Sequence, residues 1–260
     1  MTTEPSPDSH SRAMGAAGPP AGPVPPPPWQ RIPARATRRR RDPISKEAIV
    51  AAAIRLMDAE GFDALSMRRI AEELGTGAAS LYWHVGSKDG LLDLVFDELI
   101  GEVMVPDPDP PRWREQVKDL ARAQRAGTLR HPYIVRVSIG RIPMGPNALV
   151  FSERSLAILR AGGLPPRLAV RASHLLISTV NGFTIDETGV SGTGPDDTAA
   201  TADVADAAAA AGGYLATLPP ERFPNLVSLA QEFADADRDA RFELLIDIFV
   251  DGLARLAEAD

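Results

Sequence analysis

The 260-residue chain has no cysteine, only three lysines beside 25 arginines, and four histidines scattered along its length. Lack of cysteine excludes disulfides, thiolate nucleophiles and thiolate zinc sites, and fits a reducing compartment. His10, His84, His131 and His174 lie too far apart for a local metal motif, so neither a metal nor another cofactor is expected. Long apolar runs are also missing, because charges or prolines interrupt every candidate well short of the roughly 20 residues that span a bilayer. Proline and glycine fill the N-terminal region where a secretory signal would need an apolar stretch. The expectation is a cytoplasmic protein with no membrane partner. With no glycine-rich phosphate loop and no local histidine–acid pair, the sequence offers no catalytic residues, and an enzyme is not expected.

The net charge of −7 is unfavourable for a nucleic-acid binder, but it is unevenly placed. Residues 1–43 hold seven arginines against three acids, whereas the remainder holds 21 basic against 32 acidic residues. Placement, more than the total, decides what a surface attracts. The same 43 residues contain eleven of the 24 prolines and almost no apolar periodicity. Such a segment cannot bury enough surface to offset its chain entropy, so a disordered Pro/Arg-rich arm is expected over 1–43. It ends in Arg38, Arg39, Arg40 and Arg41, readable either as a solvated charge run or as an arm that contacts nucleic acid.

From Ile44 the pattern turns helical. Ser45 is a good N-cap, Ile49, Ala52, Ala53, Leu56 and Met57 follow with helical spacing, and Gly61 is a stop signal. A second helix starts at the N-cap Ser66, runs through Met67, Ile70, Ala71 and Leu74, and ends at Gly75. A third short segment runs from Ala78 to Val85, with Leu81 pointing inward. Two short helices joined by a glycine-containing turn are the helix-turn-helix pattern. Ser87 caps a fourth helix whose broad stripe, Leu91, Leu92, Val95, Phe96, Leu99 and Val103, extends to about residue 104. The run PDPDPP at 106–111 is a connection, because its prolines forbid a helix interior. Beyond it, helices are expected over 112–130, 132–140, 146–161, 166–187, 221–233 and 238–257, with residues 189–213 a low-complexity mobile loop whose alanine-rich half can form a loose helix. No period-2 alternation supports a sheet. The fold class is therefore all-α, with an N-terminal three-helix helix-turn-helix domain and linking helix over 44–104 and a larger helical domain over 112–260.

Tyr82, Trp83 and His84 follow the small residues Ala78, Ala79 and Ser80 on the third helix. The aromatics can be core residues or surface contacts; Leu81 already anchors the helix, and two adjacent aromatics cannot both face inward. The small N-terminal end suits close approach to base edges in a major groove. Taken together, AEGFDALSMRRIAEELG and LYWHVGSKDGLL resemble the N-terminal domain of the TetR family of bacterial transcription repressors. The RHP at 130–132, the GPN at 145–147 and the closing FELLIDIFVDGLARL are similar, more weakly, to the C-terminal domain of its tetracycline-repressor branch.

The resemblance implies DNA contacts at Arg68, Ala78, Ala79, Ser80, Tyr82, Trp83, His84 and Lys88. Arg68 is the candidate for bidentate guanine contact, whereas Ala78 and Ala79 can offer only methyl contact to bases. Arg38 to Arg41 then read as an arm reaching phosphates or the minor groove. The final helix is apolar on two faces, one carrying Phe242, Leu245, Ile246, Phe249, Val250 and Leu253, the other Leu244 and Ile248. That pattern is open to a core helix or to a dimer helix, and the family's four-helix dimer bundle favours a homodimer on a near-palindromic double-stranded DNA operator.

In the branch's tetracycline-binding members a histidine helps hold a drug-bound metal. That position falls here on Ser138, and other drug contacts fall on Leu120, Met104 and Gln124, leaving Asp186 or Glu187 as an acidic remnant. The implied small-molecule effector is accordingly a hydrophobic or aromatic compound without a metal, lined by Gln124, Ser138, Phe151, His174, Ser178, Asn181 and Phe183. The resulting expectation is a repressor of a drug or antibiotic efflux gene, released from DNA by its effector. The alternative is a TetR-like regulator of metabolism or antibiotic production, repressor or activator, that senses another ligand or a protein partner. Replacing Arg38 to Arg41 by alanine is expected to weaken operator binding and flatten its salt dependence, because fewer counterions are released. A salt titration checks this, and unchanged binding across it would remove the arm from the DNA interface.

Overall fold

The structure, a computed structural model, describes residues 44–188, 203–234 and 237–258, with side chains except at 188 and 203–208. The arm expected over 1–43, with Arg38 to Arg41, and the 189–202 part of the expected loop lie outside the described residues. Twelve α-helices and no strand occur among the described residues. The first four are α1 (Lys46–Glu60), α2 (Met67–Glu73), α3 (Ala78–Val85) and α4 (Lys88–Gly101), with a 3-10 turn at Phe62–Ala64. Then come α5 (Trp113–Arg130), α6 (Ile134–Ser138), α7 (Pro146–Ala161) and α8 (Pro166–Thr188). The last four are α9 (Asp203–Leu215), α10 (Pro224–Ser228), α11 (Ala230–Ala234) and α12 (Arg238–Glu258).

Local chemistry sets the early boundaries. The hydroxyls of Ser45, Ser66 and Ser87 accept from the backbone N–H of Ala48, Arg69 and Gly90 at 3.2, 3.3 and 2.9 Å, each satisfying an orphan donor of a first turn. Gly75 and Gly86 take φ of +62° and +75°, left-handed values that let the chain turn sharply after α2 and after α3. Ile49, Ala53 and Met57 of α1, Ile70 of α2, Leu81 of α3 and Leu91 and Val95 of α4 make the core of this head. A second core joins Trp113 and Val117 of α5, Ile158 of α7, Val180 of α8 and Phe242, Ile246 and Val250 of α12. Lys118, Arg122 and Arg125 along α5 pair with Asp247, Glu243 and Asp239 of α12, at 2.7, 2.7 and 2.8 Å. Arg125 also donates to Glu187 and lies over the Phe242 ring at 4.7 Å, a largely desolvated site where its pairing counts for more than on an open surface.

Three expectations change. The segment 189–213 is not a loop throughout, because α9 begins at Asp203 and carries the alanine run into a helix. Alanine has the highest helix propensity, and Gly212 lets α9 approach α11 so closely that a Cβ there would lie 2.7 Å from the Ala230 carbonyl oxygen. The helix expected over 221–233 divides into α10 and α11; Pro224 sits at the first helical position and disfavours helix at the residues before it. The segment expected over 132–140 shrinks to the five residues of α6. On α12, Phe242, Ile246, Val250 and Leu253 are buried, whereas Leu244 and Ile248 are 61% and 65% exposed within the single chain. No described helix is long and apolar enough to cross a membrane.

Gly162 follows α7 and lies against the Trp113 indole, where a Cβ would collide with the ring. Gly162→Ala is expected to lower unfolding free energy by about 1–3 kcal/mol through this overpacking, measured by denaturant unfolding; an unchanged midpoint would mean that the contact is loose.

Candidate functional site

The exposed face of α2 and α3 carries the side chains that the sequence assigned to DNA. Leu81 and Val85 bury the inner side of α3, leaving Tyr82 and Trp83 exposed by 47% and 76%. Ala79 is exposed, Ala78, Ser80 and His84 are half-buried at the same end or edge, and Lys88 is exposed at the start of α4. The Trp83 and His84 rings meet edge to face at 4.8 Å. Arg68 is exposed on α2 and donates to Glu72 at 2.8 Å, a hydrogen bond that strengthens its hold on the proton. Any base contact by Arg68 therefore has to share or release Glu72.

Behind this face, the head is joined to the body through a cluster of charges. Asp58 of α1 accepts from the Tyr133 hydroxyl at 2.8 Å and lies 2.7 Å from His131 Nδ1, while His131 Nε2 lies 3.4 Å from Glu102. Arg136 of α6 makes a bidentate pair with Asp63, and Arg141 pairs with Asp89 and Asp93 of α4. Tyr133 and Val137 are themselves part of the head's core. Burial, and then the Asp58 carboxylate, push the Tyr133 phenol well above its ordinary range.

On the body side, α4, α5, α6, α7 and α8 enclose about 700 Å3 of empty space, its open mouth included. Phe96, Leu99 and Ile100 of α4, with Val103 just beyond its end, form one wall; Phe151 and Ser152 of α7 and Ile177 and Asn181 of α8 form others. Of the residues the sequence proposed for a ligand, Gln124, Ser138, Phe151 and Asn181 line this cavity. His174, Ser178 and Phe183 do not. His174 and Ser178 are exposed on α8, His174 a turn before Ile177 and Ser178 one step further round the helix. Phe183 faces the second core and packs on Phe242 at 5.2 Å between ring centres. The α4 wall was missed because its apolar stripe reads as ordinary core, although its breadth signalled burial on two sides.

The cavity's polar groups are few. Gln124 Nε2 donates to Asn181 Oδ1 at 3.0 Å and to the Ile177 carbonyl at 3.3 Å, while Gln124 Oε1 is buried without a partner. Thr128 and Ser138 hydroxyls are turned to backbone carbonyls of their own helices. Leu120 is in the core and Met104 is 87% exposed, so neither supplies a polar contact. Glu187 is held by Arg125 and Asp186 by Arg241. No three histidine, aspartate or glutamate side chains converge as a metal site among the described residues.

The buried phenol of Tyr133 gives a direct check on the junction. In a spectrophotometric alkaline titration, one of the three tyrosines is expected to resist ionisation until the protein unfolds, and Tyr133→Phe to remove that fraction. Loss of all three tyrosine signals together below the unfolding transition would contradict the geometry.

Residues 106–257 match the family model described as the tetracyclin repressor-like C-terminal domain, and residues 49–95 match that of bacterial regulatory proteins of the tetR family. An HTH-type transcriptional regulator of Saccharopolyspora erythraea is 40% identical over 125 residues, 48% of this chain and 53% of that one. The HTH-type transcriptional repressor DrrR1 of Streptomyces coeruleorubidus is 38% identical over 135 residues, 50% of this chain and 48% of that one. The chain thus spans about half the length of these curated relatives. The crystal structure of the TetR family protein ActR of Streptomyces coelicolor in complex with actinorhodin is 45% identical, with a TM-score of 0.73 over 83% of this chain and 99% of that one. The match over the helical body, joined to the one over the helix-turn-helix head, means that this chain belongs to the TetR family of bacterial regulatory proteins.

Proposed function

We propose that the protein is a homodimeric transcriptional repressor that leaves its operator when a hydroxylated aromatic compound enters the cavity. The observation that carries this reading is the shared wall: α4 leads directly from the DNA-reading head and lines the cavity with Phe96, Leu99 and Ile100, and Val103 just beyond its end continues that wall. A ligand that binds better when this wall is displaced shifts the population toward heads misplaced for successive major grooves, with a coupling of about 1–3 kcal/mol. In this reading Arg68, Ala78, Ala79, Ser80, Tyr82, Trp83, His84 and Lys88 form the DNA face, and Arg38 to Arg41 extend it. The exposed Leu244 and Ile248 of α12, with Leu175 of α8, supply the apolar dimer surface. The domain plan that supports the reading is an arm over 1–43, the head and linking helix over 44–104 and the effector and dimer body over 112–260.

The cavity chemistry narrows the effector. Its lining is mostly apolar, and Gln124 Oε1, the one fully buried side-chain polar atom without a partner among its described lining residues, is an acceptor. A planar hydrophobe with a phenolic hydroxyl satisfies both features. The actinorhodin bound by ActR points to the same chemical class, and a drug exporter is the proposed target gene.

The test combines ligand-dependent melting with binding to the DNA immediately upstream of this gene. Actinorhodin and alizarin, which carry hydroxyls, are expected to raise the melting temperature and release the DNA, whereas anthraquinone, which has none, binds more weakly. Gln124→Leu is expected to reduce hydroxyl-dependent affinity by about 2- to 10-fold, in line with the worth of one hydrogen bond, while leaving DNA affinity of the ligand-free protein unchanged. A ligand that binds tightly but leaves DNA affinity unaltered would overturn the mechanism.

A further inference from the structure

The GPN turn at 145–147, singled out in the sequence, meets α4 at one residue. Asp97 is half-buried on α4, and its carboxylate accepts from the backbone N–H of Asn147 at 3.3 Å and of Ala148 at 2.9 Å. It therefore caps α7 from another helix, where the positive end of the α7 dipole and the unsatisfied first-turn donors favour a negative charge. The contact is reciprocated: the Asn147 side-chain amide donates to the Asp97 backbone carbonyl at 3.2 Å. Two glycines permit the approach. A Cβ at Gly145 would collide with the Asp97 carboxylate, and one at Gly101 would lie 2.8 Å from Asn147 Nδ2. Pro146 occupies the first position of α7, where its missing N–H costs nothing.

This joint lies between two helices that both bound the cavity. Phe96 and Ile100 flank Asp97 along α4, Ala148 belongs to the capped turn of α7, and Phe151 and Ser152 follow it, all of them cavity-lining. We propose that Asp97 is a positioning residue that pins α4 to the N-terminus of α7, so that a ligand pressing on either wall swings the head about this joint. The inference rests on the regulatory reading above for its consequence, but the joint itself is a property of the ligand-free protein. Glycine, proline and asparagine at 145–147 then have one shared purpose: close approach, a preset first turn and a return hydrogen bond.

The test uses the full chain in its native assembly. Because the protein has no cysteine, Ala59→Cys on the exposed side of α1 and Val150→Cys on that of α7 accept nitroxide labels without background, and labelled chains are diluted into unlabelled ones. The parent is expected to show one narrow head-to-body distance. Asp97→Ala is expected to broaden or shift it, and Asp97→Asn, which keeps one acceptor oxygen, to restore it in part. Thermal melting identifies any variant that fails to fold. Gly145→Ala supplies a second route to the same joint: it is expected to disturb the distance in the parent but much less in the Asp97→Ala background, because the clash partner is gone. An unchanged distance in both Asp97→Ala and Gly145→Ala would overturn the joint. With alizarin as probe, ligand-induced loss of DNA affinity is expected to fall from about 5- to 150-fold in the parent to under about twofold in Asp97→Ala, with alizarin affinity retained. Equal release by parent and Asp97→Ala would overturn the coupling role. If the parent shows no release, the regulatory reading fails, and the distance measurement still decides the joint.

Discussion

The constraint on which this molecule depends is that α4 has to satisfy two environments at once. Leu91, Leu92, Val95 and Leu99 are buried in the head's core, while Phe96, Leu99 and Ile100 face the cavity. A helix apolar on so much of its circumference cannot rotate or slide without uncovering surface on one side or the other, at roughly 25 cal/mol per Å2. Small displacements are therefore not absorbed locally. In the proposed mechanism they move the head, whose core is built on the same helix.

Charges tie the head to the body across the same junction. The acids behind the excess of negative charge are partly committed to structure: Asp58, Asp63, Asp89 and Asp93 all meet partners from the stretch between 131 and 141. Those four contacts surround α6, which places Ile134, Val135 and Ser138 on the cavity and Tyr133 and Val137 in the head. The acidic balance is thus compatible with the proposed DNA face, since much of it is spent at the junction and along α5 and α12, away from Arg68 and Lys88.

Where structure follows from local rules, the sequence was easily read. Serine caps, glycine stops and 3.6-residue periodicity placed α1, α2, α3 and the start of α4, and the LYWHV segment had a forced orientation once Leu81 was taken as the anchor. The GPN turn was visible as a motif, but its purpose was not, because Asp97 is some fifty positions away. The cavity was half legible. Gln124 and Ser138 are reached through the register of the family resemblance, whereas Phe96 and Ile100 cannot be told from core by periodicity. His174 and Ser178 misled for the opposite reason: they are polar residues on a long helix, and only the position of the cavity along α8 decides which turn they serve. The alanine-rich α9 has no apolar contrast at all, and its helix is secured through Gly212 against a segment that follows it in the chain.

An apolar cavity with one unmatched acceptor is also a way of making stability answer to ligand chemistry. A buried acceptor such as Gln124 Oε1 with no protein partner carries a desolvation cost of about 1–3 kcal/mol. A purely hydrophobic guest fills the space but does not remove that cost. A guest that brings a hydroxyl at the right place gains the apolar contact and relieves the acceptor together, so its advantage exceeds that of a single surface hydrogen bond. The Nε2 side of the same amide is already fixed to Asn181 and Ile177 of α8. The acceptor is held at a defined point on the α5–α8 seam, and discrimination can therefore rest on where the guest carries its hydroxyl as much as on its size.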